Sequence, residues 1–249
     1  MGSINELDNL NYLVDYVTEN KMGVSDHIEE FSQRLIFCVL TFIVVTLVCF
    51  TDITQIVKVF QAPAIGVKFL QFGPGEYFFT TLKIALFSGI LITSPLILYQ
   101  IFLYVAPGIT KKERNFLFPI TIGSGLLFAI GTCFSYFFLV PATLRFFVVY
   151  SSEIVEPLWS FDQYFDFVAV LIFTTGLTFQ VPVVQVILGF LGAVSGQDML
   201  CAWKYVVVIS TILAAIITPS TDPVTQVLMT CALLVLYIGG LGIVLLFKK

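Results

Sequence analysis

Apolar residues come in six long runs, and nearly all charged residues fall between them. The runs are Leu35–Phe50, Thr81–Val105, Phe116–Val140, Phe167–Leu191, Tyr205–Thr218 and Val224–Phe247. A hydrocarbon core of ~30 Å takes about 20 helical residues, so the pattern predicts six transmembrane helices. The fifth run is short, which implies local thinning of the bilayer or polar access beside it. Pro95 lies inside the second run, Pro119 in the first turn of the third and Pro182 inside the fourth. Ahead of the first run stands a polar tail, residues 1–24, and residues 25–249 form the membrane domain.

Two of the gaps carry a second, weaker pattern. "DITQIVKVFQAP" has the period of a short surface helix that stops before Pro63. The stretch from Pro141 to Asp166 reads as a loop containing the amphipathic "ATLRFFVVYSS", and "PSTDP" (Pro219 to Pro223) as a tight turn. No internal repeat is visible, which disfavours the inverted-repeat transporters. Lys21, Arg34, Lys111, Lys112, Arg114, Lys204, Lys248 and Lys249 fall on one side of the six-span arrangement, and Lys58, Lys68, Lys83 and Arg145 on the other. The excess of basic residues places both termini on the cytoplasmic-type side.

Composition agrees with that picture. Only 11% of the residues are charged and 58% are hydrophobic, against about 25% charged in a soluble domain. Basic residues are few and dispersed, so nucleic acid is not an expected partner. Cys38, Cys49, Cys133, Cys201 and Cys231 form no CxxC pair and read as small buried hydrophobes. The N-terminal tail has neither the basic start and apolar core of a signal peptide nor the acid-poor composition of a transit peptide, so the mature chain is expected to start near Met1.

Candidate chemistry is sparse. In "DHIEEFSQRLIF", Ser25 or Asp26 is a good N-cap, and Asp26 with Glu29 has capping-box spacing. Glu30 precedes Arg34 by four residues, the favourable order for a helical ion pair, and His27 is the sole histidine. Glu113 sits on the same side, at the end of "YVAPGITKKERNF". Glu30 and Glu113 can converge as a receptor for two guanidinium groups, or remain two unrelated surface acids. Gln180, Thr218 and Gln226 are polar residues within or beside the spans, and Asp222 lies in the last turn. No HExxH, GxSxG, Walker A or Cys–His set is present, which argues against an enzyme and against a metal site or cofactor. A small-solute secondary transporter or channel remains the alternative.

Six segments occur together and in order: "DHIEEFSQRLIF", "GPGEYFFTTLKIALF", "SPLILYQIFLYVAPGITKKERN", "FAIGTCFSYFFLVPATLRFF", "TFQVPVVQVILG" and "YVVVISTILAAIITPSTDPVTQVLM". The chain thereby resembles the TatC family, the polytopic receptor subunit of the twin-arginine protein translocase, from about Ser25 to the C-terminus. The resemblance implies an all-α membrane protein, six helices in a concave glove-like bundle with both termini cytoplasmic or stromal. It also implies binding of the twin-arginine signal peptides of folded cargo, at Glu30 and Glu113, and transport driven by the proton-motive force. Implied partners are single-span subunits of the TatA and TatB type, meeting Gln180, Thr218 and Gln226, and further copies of the chain itself. Pro63 and Asp222 match functional positions on the far side. Two departures stand out. Gln180 replaces a frequent Glu and cannot carry its charge, and "EFSQRL" lacks the first Arg of the usual "ELRxRL". "FQVPVVQ" and "PSTDPVTQ" look most like the cyanobacterial and plastid branch, and a plastid-encoded algal protein of the thylakoid membrane fits best.

Overall fold

A computed structural model describes residues 24–64, 67–105, 114–151, 158–190, 192, 194–218 and 222–247. The chain divides into two compact units, residues 1–40 and 41–249, and the buried core lies wholly in the second.

Helix α1 (Val24–Thr51) carries the polar start and the first apolar run as one element. No Gly or Pro stands between Ser25 and Thr51 to interrupt it. Asp26 is therefore inside the helix and not its N-cap. Glu29 does not close a capping box either: it accepts from Gln33 Nε2 at 3.4 Å, one turn on. The apolar part of α1 is almost entirely exposed, as suits a helix facing lipid.

The expected surface helix is present as α2 (Ile53–Gln61), burying Val57 and Phe60. It ends at a turn through half-buried Pro63, where Ala64 N–H donates to the Gln61 carbonyl at 3.0 Å. A helix end leaves its last carbonyls without partners, and here two phenols supply them. Tyr136 donates to the Val59 carbonyl at 2.8 Å and Tyr164 to the Phe60 carbonyl at 2.7 Å. Tyr164→Phe orphans a buried carbonyl and is expected to cost about 1–3 kcal/mol, read as a lower unfolding temperature in detergent with the helix content unchanged.

Strand β1 (Lys68–Leu70) pairs in parallel with β2 (Leu158–Ser160), Phe69 opposite Trp159. Helix α3 (Glu76–Val105) follows β1 and contains Pro95. Proline leaves the carbonyl four residues back without its helical donor. The Ser94 hydroxyl fills that gap, donating to Leu91 O at 2.7 Å, a repair open to Ser and Thr inside membranes.

The third and fourth runs depart from expectation. Helix α4 (Arg114–Phe134) does not stop at Val140. A π turn, Ser135–Leu139, carries it into α5 (Val140–Ser151). Val140 N–H reaches back five residues to the Ser135 carbonyl. One widened turn lets the ring of Pro141 into the helix without striking the carbonyl of Phe137, so the residues expected as a loop after Pro141 continue as helix to Ser151. The fourth run starts earlier, with α6 (Phe161–Thr178), whose N-cap Ser160 accepts from Gln163 N–H. It breaks at Phe179–Gln180, before α7 (Val181–Phe190). Pro182 has no N–H for the Thr178 carbonyl, so a single rod through both helices is not available.

Helix α8 (Gly196–Cys201) opens on a capping box of Ser195 and Asp198. Helices α9 (Trp203–Ile217) and α10 (Pro223–Phe247) complete the chain. Among the described residues, five helical stretches are long and apolar enough to cross a membrane. Helix α9, with 15 residues, rises only about 22 Å. Helix α6 is central: ten of its 18 residues are buried, and Phe165, Val168 and Leu171 share the core with Ile84, Leu139 and Met229.

Candidate functional site

The acidic face of α1 is built by helical spacing. His27, Glu30 and Arg34 stand at i, i+3 and i+7, one above another on one side. Arg34 Nε and Nη2 both donate to Glu30 Oε1, at 3.0 and 2.6 Å. Oε2 of the same carboxylate is closed off from solvent and accepts no hydrogen bond among the described residues. His27 Nδ1 lies 3.9 Å from it. Glu30 is thus held in one rotamer by a neighbour that uses half of its accepting capacity. Glu113 lies outside the described residues, so the expected pairing of the two acids has no geometry here.

The polar residues of the membrane interior take separate positions. Gln180 sits at the elbow between α6 and α7. Its Oε1 accepts from Ser124 Oγ at 2.6 Å, and its Nε2 donates to the Ser124 carbonyl at 3.1 Å. Both halves of the amide are bound to one residue of α4, the device that holds the broken fourth run in place. Thr218 is buried at the end of α9, its hydroxyl donating to Ala214 O at 2.9 Å. Gln226 is half-buried in the first turn of α10. The hydrogen bonds of Gln180 lead to α4, not to Thr218 or Gln226.

Asp222 is 2% exposed. Its Oδ2 accepts from Thr225 N–H at 2.8 Å and from the Thr225 hydroxyl. With Pro223 as the first helical residue, this is an N-cap followed by the residue type favoured at N1. The Thr225 hydroxyl is also 2.6 Å from that of Thr143 in α5.

Sequence reasoning missed a second charged group. Lys83, two turns into α3, donates to the carboxylates of Asp162 and Asp166 at 2.9–3.1 Å. Thr80 Oγ1 adds a bond to Asp162 Oδ1 at 2.8 Å. Glu76 accepts from Ser160 Oγ at 2.8 Å and from the N–H groups of Phe72 and Gly73. Two acids four residues apart beside a lone Lys was the available signal. Among the described residues no group of His, Cys, Asp and Glu is arranged to hold a metal.

The family profile described as "Sec-independent protein translocase protein (TatC)" matches residues 26–231. The chain belongs to the TatC family. A tatC-like protein of Porphyra purpurea, ycf43, is 50% identical over 247 residues, 98% of this chain and 97% of that one. The chloroplastic TATC protein of Pisum sativum is 53% identical over 224 residues, 89% of this chain and 64% of the pea protein. Among solved structures, the twin-arginine translocase receptor TatC superimposes with a TM-score of 0.75 at 30% identity, over 90% of this chain and all of that one. Within a TatC-family chain, then, Glu30, Arg34, Lys83, Ser124, Asp162, Asp166 and Gln180 all lie inside the matched region.

Proposed function

We propose that this chain is the receptor and core subunit of a twin-arginine translocase, binding the signal peptides of folded precursors through Glu30 and Glu113. The observation that carries the proposal is the Glu30 carboxylate, positioned through Oε1 by Arg34 and left with Oε2 unfilled. A guanidinium donates along a planar fork, and a fixed carboxylate oxygen is its natural acceptor. A lysine ammonium at the same place lacks the fork. Crosslinking a twin-arginine precursor to membranes containing the chain tests this directly. The expected result is capture that fails when the arginine pair is replaced by two lysines. Equal capture of both precursors refutes acid–arginine recognition.

On this reading the chain has six spans, α9 being the short one, with both termini on the cytoplasmic or stromal side of a thylakoid membrane. Single-span subunits of the TatA and TatB type join it, and the proton-motive force drives transport. Gln180, Thr218 and Gln226 would serve that assembly. Because Gln180 already spends both ends of its amide on Ser124, a partner must displace that contact to use it. Gln180→Leu is expected to impair partner co-purification while precursor crosslinking persists. Ser124→Ala, which removes the hydroxyl and frees Gln180 Oε1, is expected to strengthen partner association or leave it unchanged. Loss of precursor crosslinking in Gln180→Leu with normal assembly contradicts the assignment.

A further inference from the structure

The carboxylate of Glu30 is used on one side only. Oε1 takes both donors of Arg34, and Oε2 is closed off from solvent without a hydrogen bond among the described residues. A sheltered carboxylate oxygen with no donor is costly, and it favours any cation that reaches it. On α1 the group placed to do so is His27. It stands one turn before Glu30, with Nδ1 3.9 Å from Oε2. That is too long for a hydrogen bond and close enough to become one by a small turn of the ring. The other acid of this turn, Glu29, is exposed and accepts from Gln33. Among the described residues, then, the charged groups that face His27 are Glu30 beside it and Arg34 beyond Glu30, both on α1.

Imidazole is the side chain whose charge ordinarily changes between about pH 5 and 8. The His27 ring is 40% exposed, so its proton exchanges with water. A neutral ring carries one N–H and no charge. A protonated ring donates from both nitrogens, and beside Oε2 it completes a row of cation, anion and cation, Arg34–Glu30–His27. Both oxygens of the carboxylate are then engaged, and the sum of the three charges turns from neutral to positive. A guanidinium arriving at Oε2 meets an acceptor already in use and a like charge next to it. We propose that His27 gates the Glu30 site: its protonated ring takes Oε2 and keeps the twin-arginine signal peptide out, and its neutral ring leaves that oxygen to the guanidinium. His27 is a positioning residue here, acting through Glu30 without holding the ligand itself. Binding strengthens as pH rises through the imidazole range, and peptide that binds at mildly acid pH expels the His27 proton, because the two ligands of Glu30 weaken each other reciprocally.

The gate rests on Glu30 being part of the signal-peptide site, and the experiment keeps the two apart. The affinity of a fluorescent twin-arginine peptide for membranes containing the full chain is measured at about pH 5.5 and about pH 7.5, either side of the ordinary imidazole midpoint. The wild-type chain is expected to bind about two- to fivefold more weakly at the lower pH, the upper range for an ion pair at a partly exposed site. H27Q cannot take the charge, and its ratio of the two affinities should fall close to one. H27K carries the charge throughout and should bind weakly at both. A wild-type ratio of one overturns the proposal, and so does a wild-type ratio persisting in H27Q. H27K binding as tightly as wild type at the higher pH overturns it too. E30A separates the gate from the reading beneath it. If E30A binds like wild type, Glu30 is not in the site and both fall. If E30A weakens binding while H27Q keeps the wild-type ratio, the receptor reading stands and the gate alone is refuted.

Discussion

Glu30→Ala weakens binding of a twin-arginine signal peptide by about 1.5–3 kcal/mol, the worth of a hydrogen bond to a charged group, or roughly ten- to 150-fold in affinity. The reason is specific to the geometry. Arg34 fixes Oε1 through two donors and leaves Oε2 sheltered from water, and a sheltered carboxylate oxygen gains more from a guanidinium than one already solvated. Alanine removes the acceptor and leaves the Arg34 charge without the Glu30 carboxylate beside it, which disfavours a cationic ligand. Glu30→Gln keeps an oxygen acceptor while losing the charge, so it is expected to lose less than alanine. Titration of a fluorescent signal peptide onto membranes at moderate salt measures all three chains. The same affinity in wild type and Glu30→Ala removes Glu30 from the binding site. An equal loss for a two-lysine peptide and a twin-arginine peptide indicates a general charge effect and no fork recognition.

How much of this is legible in the sequence differs from element to element. Helical spacing alone puts Glu30 and Arg34 in contact, because an i, i+4 pair on an unbroken helix has few other options. The surface helix before Pro63 and five long apolar helices follow from period and composition. What fails is punctuation. Pro141 reads as a stop, yet a single π turn absorbs it. Pro95 and Pro182 both read as possible helix breakers, yet only Pro182 coincides with a break. The same residue type gives opposite outcomes because the cost of its missing N–H depends on what else can satisfy the freed carbonyl, and periodicity does not record that. Asp162 and Asp166 read as loop residues because they are charged, and they lie in helix α6 because Lys83 of α3 neutralises them. Strands of three residues give no alternation to detect. The pairing of Gln180 with Ser124 joins positions 56 residues apart, and nothing local encodes it.

Asp222→Ala is expected to be among the most destabilising single changes in the chain. The carboxylate caps α10 through Thr225 N–H, and loss of an N-cap costs about 0.5–2 kcal/mol. Thr225 and Thr143 are fully buried and share a hydroxyl contact of 2.6 Å, with Thr143 also donating to Leu139 O at 2.9 Å. Without Asp222 the Thr225 hydroxyl and N–H lose their common acceptor where water cannot replace it, which adds about 1–3 kcal/mol. A total of about 1.5–5 kcal/mol corresponds to a drop on the order of 3–20 °C in unfolding temperature for a chain of this size. Asp222→Asn separates the possible causes. Asparagine caps as well as aspartate and retains an oxygen acceptor, so it should melt close to wild type. If the asparagine variant is as damaged as the alanine one, the charge matters and the cap does not. If the alanine variant melts like wild type, the chain Asp222–Thr225–Thr143 is not what joins α10 to α5. Precursor binding by the folded fraction of Asp222→Ala should be unchanged, because the residue acts through the seating of α10 and Glu30 stands on a different helix.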